Sequence, residues 1–164
     1  MSEMAMYRRW QLHSIDKNVR TLPRLITTIA DPAAFQKRDP SDDGDGWTIS
    51  EVLGHLGDFE LYFGARARHI GAGAEEPPQP SMRPAEAVVA QGYAQQDAAD
   101  LLERWRGLRA DSLAFFLSLN VEDDELWQGS APFGGGPFSL NNQLILTAMH
   151  DCDHMNQIVK IIES

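Results

Sequence analysis

The residues best suited to chemistry in this chain are three of its histidines. His150 and His154 stand four residues apart in a stretch, Ser139 to Glu163, that holds neither proline nor glycine. Ser139 is a good N-cap, so the stretch reads as one helix. At ~100° per residue the two histidines share a narrow stripe, with Gln143, Thr147, Asp153 and Gln157 on or beside it. Leu144, Ile145, Ala148, Met149, Cys152, Met155, Val159 and Ile162 fill most of the remaining girth, which predicts a buried helix. Buried imidazoles need partners. An i,i+4 pair can bring two ring nitrogens onto one cation; the same pair could instead hydrogen-bond side chains of a neighbouring helix.

A catalytic zinc site commonly takes three protein ligands and keeps a position open. A third imidazole must come from another helix, and His55 is the candidate. Thr48 and Glu51 form a capping box that starts a helix reaching about Ile70. On it Glu51, Asp58, Phe59 and Tyr62 share the face of His55, while Leu53, Leu56 and Leu61 lie off it. His69 is too far along the same helix, about 21 Å, to join that site. His13 has no histidine at helical spacing and reads as a surface or satisfied polar residue.

Four helical segments would position these residues. The first spans Met6 to Ala30, with Trp10, Leu12, Ile15, Val19, Leu22, Leu25, Ile26 and Ile29 as its apolar stripe and a kink or break expected at Pro23. The third is expected from Pro84 to Leu119, weakened at Gly92 and Gly107, with Val88, Tyr93, Leu101, Leu102, Trp105, Leu108, Leu113, Phe116 and Leu117 facing the core. Asn120 to Pro137 reads as irregular, with a short helical turn near Asp123 to Leu126. The acidic run from Ser41 to Gly46 lacks the twelfth-position glutamate of a calcium loop and reads as a solvated turn. Gly134-Gly135-Gly136 lacks the Lys-Ser/Thr of a phosphate loop. The expected fold is an all-α four-helix bundle, one domain over residues 1–164, with at least one crossing connection.

The formal net charge of -10 argues against a nucleic-acid backbone or an anionic membrane surface as partner. Basic residues are scattered apart from the Arg104, Arg106, Arg109 group. A lone cysteine, Cys152, excludes an internal disulfide and is expected to be a buried small hydrophobe turned away from His150. No run of ~18 apolar residues occurs, and a cytoplasmic protein is expected.

The stretch from Trp47 to Glu60, WTISEVLGHLGDFE, resembles the second-helix motif of the DinB/YfiT-like family, and His150 to Ile158, HDCDHMNQI, resembles that family's H-x-x-H-H-x-x-Q-I signature. The resemblance implies a DinB-like bundle, often a homodimer, with a divalent ion held by His55, His150 and His154. Asp153 stands where many members have a histidine, and is expected to orient His150 or to contact the metal's water. The ion could be zinc or nickel first, manganese or iron next, since imidazole suits all of these. The family includes enzymes that use a small cellular thiol, so the resemblance implies a thiol S-transferase acting on a small electrophile. Glu51, Asp58, Asp153 and Gln157 are then candidates to support the ligands or touch substrate. Asp58 is the better of the two carboxylates flanking His55, because Glu51 belongs to the capping box. Two other readings stand beside this one. One is metal-assisted hydrolysis, including a metalloprotease-like use of His150-Asp151-x-x-His154, in which Asp151 is one methylene short and only ten residues remain for a third ligand. The other is a metal that only staples helices. A homodimer is also expected from the many large apolar side chains of the third helical segment.

Overall fold

The computed structural model describes residues 2–42 and 46–164. Its elements are α1 (Glu3–Thr27), α2 (Ile49–Ala72), α3 (Pro84–Gln91), α4 (Ala98–Ser118), α5 (Asp124–Gln128), β1 (Ser130–Phe133), β2 (Gly136–Ser139) and α6 (Leu140–Glu163). The four long helices make the bundle. α1 packs on α4 and α6, and α2 packs on the same two, so α1 and α2 occupy one diagonal. The connection from α1 to α2 therefore crosses the bundle end, and so does the one from α4 to α6. Among the described residues no helix is long and apolar enough to cross a membrane. Residues 43–45 of the acidic run lie outside the described residues.

Local chemistry sets the helix ends. Thr48 accepts from the Glu51 backbone while the Glu51 side chain accepts from the Thr48 N–H, closing the capping box. Ser139 likewise accepts from the Asn142 N–H at the start of α6. The single third helix is corrected: Gly92, at φ 64, ends α3 in the left-handed region, and Asp97 caps α4 by accepting from the Ala99 N–H. α1 runs through Pro23 to Thr27 without a break. The segment after α5, read as irregular, is a hairpin with Ala131 opposite Phe138. Gly134 and Gly135, both at positive φ, form its two-residue turn.

Two apolar clusters fill the bundle. One gathers Leu22, Val52, Leu53, Leu56, Leu101, Trp105 and Ile158; the other Leu12, Ile15, Ala67, Phe116, Trp127, Leu140 and Leu144. Between them lies a polar layer that touches all four helices. Arg109 of α4 places Nη2 2.9 Å from Glu60 of α2 and 2.5 Å from Asp151 of α6. Asn18 of α1 donates to the other oxygen of Asp151. All four residues are buried.

Some residues expected inside lie outside. Trp10 and Leu117 are exposed. Ile145, Met149 and Cys152 are exposed too, because α6 is a corner helix with neighbours on two sides and solvent on the rest. The expectation of a buried Cys152 is thus corrected.

Candidate metal centre

His55 comes from the second turn of α2, and His150 and His154 from adjacent turns of α6, the helix packed against it. The Nε2 atom of His150 lies 3.0 Å from Nε2 of His55 and 3.2 Å from Nε2 of His154. One nitrogen from each ring falls within 4.8 Å of the other two. Donors around a tetrahedral ion at ~2.05 Å stand ~3.3 Å apart. The spacing therefore suits a cation without rearrangement of the helices.

The rings are held from behind. His154 Nδ1 donates to Gln157 Oε1 at 2.8 Å, which leaves Nε2 as the lone-pair nitrogen of neutral His154. Gln157 in turn donates to the buried carboxylate of Asp39. Burial pushes that carboxylate up, but hydrogen bonds from Ser41 and Gln157 and the charge of Lys160 outweigh it and hold Asp39 below its ordinary value. Asp39 reaches this place because its N–H donates to the Trp47 carbonyl, clamping the loop base to the start of α2. The Trp47 ring stacks on His154 with centroids 5.9 Å apart, and Phe59 stacks on His150 at 3.9 Å.

The donor chemistry fits an ion better than a hydrogen-bonded trio. A neutral His150 carries one proton. From Nε2 it could serve only one of its two neighbours, and its Nδ1 is buried with no partner among the described residues. Added protons are disfavoured. Burial, then the charge of neighbouring rings, pushes His55 down to about 4 and His150 down to about 2. Burial also lowers His154, opposed by the Gln157 hydrogen bond and the charge of Asp153. All three rings are thus neutral at neutral pH, the form that ligates metal.

His55 and His150 line a cleft of about 470 Å³, with His154 beside them. Phe59, Tyr62 and Phe63 form the α2 wall, Phe133 of the hairpin faces them, and Pro80, Met82 and Pro84 close the side before and at the start of α3. Buried Arg66 braces that hairpin by donating to the carbonyls of Ala131 and Pro132, with its guanidinium 5.4 Å from the Phe133 ring centre. Gln143 donates to the Phe63 carbonyl and ties α6 to the same wall.

The other sequence candidates divide. Asp58 lines the cleft, and its Oδ1 accepts from Tyr93 and Arg104, each at 2.8 Å. Glu51 serves the cap and sits 3.5 Å from Arg38. Asp153 is exposed and makes no hydrogen bond to either α6 histidine among the described residues; it reaches His154 only through its charge. Asp151, in the place of a metalloprotease base, points into the ionic layer and away from the triad, so that reading fails. The arginine group forms no basic patch: Arg104 pairs with Asp58, Arg106 with Glu103 and Arg109 with the layer. Sequence reasoning did not assign Asp39, Arg104 or Phe133 to the site. Asp39 and Phe133 lie in connections without periodicity. Arg104 had a sequence signal, its helical register with Leu101 and Trp105 on the side of α4 that meets α2.

A family model of the DinB superfamily matches residues 14–158. The chain belongs to the DinB superfamily. Among solved structures the fold matches YfiT from Bacillus subtilis, described as a probable metal-dependent hydrolase with an unusual four-helix bundle topology. The match has a TM-score of 0.80 at 17% identity and covers 98% of this chain and 87% of that one. At that identity it shows a shared fold. No curated protein matches the chain.

Proposed function

We propose that this DinB-superfamily chain is a metal-dependent enzyme that holds one divalent cation on His55, His150 and His154 and acts on a small molecule in the adjoining cleft. The observation that carries the reading is the convergence of three neutral imidazole nitrogens, two of them on rings that line an open cleft. Zinc or nickel suits such a donor set first, manganese or iron next. The ion would supply Lewis acidity, lowering the pKa of a bound water or thiol toward neutrality. Gln157 and Trp47 hold His154 in register, Phe59 holds His150, and Asp58 presents a carboxylate oxygen on the cleft wall, where it can accept a proton from a reacting group.

We read the nucleophile as water. A thiol that carries carboxylates would meet no lysine or arginine among the described residues lining the cleft. The description of YfiT as a probable hydrolase agrees. Thiol S-transfer to an electrophile is the alternative at the same three histidines. The test is a screen of metal-loaded protein against aryl esters and amides, and against electrophiles with and without small thiols. Hydrolysis lost in His150→Ala supports the proposal; turnover only with thiol transfers it to the alternative. Silence in both panels leaves a metal-binding protein.

A homodimer belongs to the proposal, with the exposed apolar face of Tyr7, Trp10, Ile145 and Met149 on α1 and α6 as its contact. Light scattering should report about twice 18.3 kDa. Trp10→Glu with Met149→Glu should give monomer; a wild-type monomer at all concentrations contradicts it.

A further inference from the structure

The wall of the cleft is mostly apolar, with rings of Phe59, Tyr62, Phe63 and Phe133 on two sides. Its polar members besides the histidines are Asp58, Gln79 and the Tyr62 hydroxyl, and Tyr62 already donates to Gln79 Oε1. No cation lines it. Arg104 is turned onto Asp58 and Tyr93, and Arg66 is spent on the hairpin carbonyls behind Phe133.

Asp58 is a built feature of this wall. Its Oδ1 takes both the Tyr93 hydroxyl and Arg104, while Oδ2 takes no hydrogen bond from a described residue. The two donors reach it because α2 has glycine where they cross. A Cβ on Gly54 would stand 2.2 Å from the Tyr93 ring, and one on Gly57 would stand 2.6 Å from Arg104 Nη1. The carboxylate is thereby fixed on the cleft wall one turn from His55, with one acceptor oxygen left over.

Resting on the metal-site reading above, we infer that the cleft selects an aromatic molecule that is uncharged or carries an amine, bound through its hydroxyl or amine to Asp58, and discriminates against carboxylates and phosphate esters. An aromatic body buries its faces and edges against the ring walls. A hydroxyl or ammonium supplies the donor that Oδ2 lacks. An anion would lose its hydration in an apolar cleft, find Arg104 already paired with Asp58, and meet the unpaired Oδ2 of that carboxylate.

The test uses the full-length protein stripped of metal, so that no ion can attract an anion. Benzylamine, benzyl alcohol and benzoate are titrated and followed by NMR shifts of the Gln79 side-chain amide. The amine should bind most tightly and the alcohol next, and benzoate should bind at least roughly tenfold more weakly than the alcohol, the scale of one like-charge contact in a partly buried site. Asp58→Asn should erase the advantage of amine over alcohol and narrow the gap to benzoate, and Phe133→Leu should weaken the alcohol. Benzoate binding as tightly as the alcohol overturns the inference, as does no binding by any of the three or an amine preference untouched in Asp58→Asn. Metal content of the untreated protein, measured separately, reports on the metal site whichever way these titrations fall.

Discussion

His150 and Asp151 are consecutive residues of α6, yet they face two different buried polar environments. Asp151 turns into the centre of the bundle, where Arg109 and Asn18 meet its two oxygens. Donor faces acceptor, and both apolar clusters seal the layer. His150 turns toward α2, where like meets like: three ring nitrogens point at one another beside an open cleft. Burial penalises polar groups in both places. In the layer the penalty is offset inside the protein by opposite charge. At the triad it is left for something from outside, and a cation is the partner that three lone pairs have in common. Complementarity marks a structural polar cluster, and convergence of identical donors marks a ligand site.

Removing Arg109 should break the first arrangement most severely. Arg109→Met leaves Glu60 and Asp151 buried together without a cation and should cost about 3–5 kcal/mol. In a chain of this size that is a fall in Tm of roughly 10 °C, read by calorimetry. Metal bound per folded chain should not change. Adding Glu60→Gln and Asp151→Asn to Arg109→Met should restore most of the loss, since the unpaired charges are gone.

Acid should separate the two regions by the sign of their effect. Burial pushes His55 from its ordinary 6.5 down to about 4 in the folded chain. Between those values the unfolded chain binds the extra proton, so the metal-free protein loses stability as pH falls through that window. Burial raises Asp151 from 3.8 to about 6, against the charge of Arg109 and with that of Glu60. There the folded chain holds the extra proton, and the layer contributes stability as pH falls from about 6 toward 3.8. In denaturant titrations of metal-free protein, His55→Ala should flatten the acid loss, and Asp151→Asn should steepen it.

A smaller effect should follow from loosening one histidine. Gln157→Leu removes the acceptor of the His154 Nδ1 proton and the link to Asp39. Metal affinity should fall about 10–100-fold with the fold intact, measured by competition with a chromogenic chelator.

The four helical segments, the Thr48–Glu51 capping box, the Ser139 cap and the three histidines were legible in the sequence because each rests on local pattern: 3.6-residue periodicity, a cap three residues before its partner, an i,i+4 pair. The break at Gly92 was not, since a glycine lowers helix propensity without saying where the chain will turn left-handed. The hairpin was missed because Ser130 to Ser139 is short and rich in glycine and proline, although Gly134-Gly135 carried the signal of a two-residue turn. Cys152 was misjudged, and the place of Asp151 in the ionic layer went unread, for one reason. The sequence shows that α6 is amphipathic but not which two sides its neighbours take, and those sides bury Asp151 and leave Cys152 in solvent.

The central claim is that convergent imidazoles hold an ion whereas the paired charges of the layer do not. Elemental analysis of untagged protein after equilibration with limiting zinc or nickel and gel filtration tests it most directly. About one ion per chain is expected in the wild type and in Asp151→Asn, and essentially none in His55→Ala, His150→Ala or His154→Ala. Stoichiometric metal in those three histidine variants, or none in the wild type, would contradict the account.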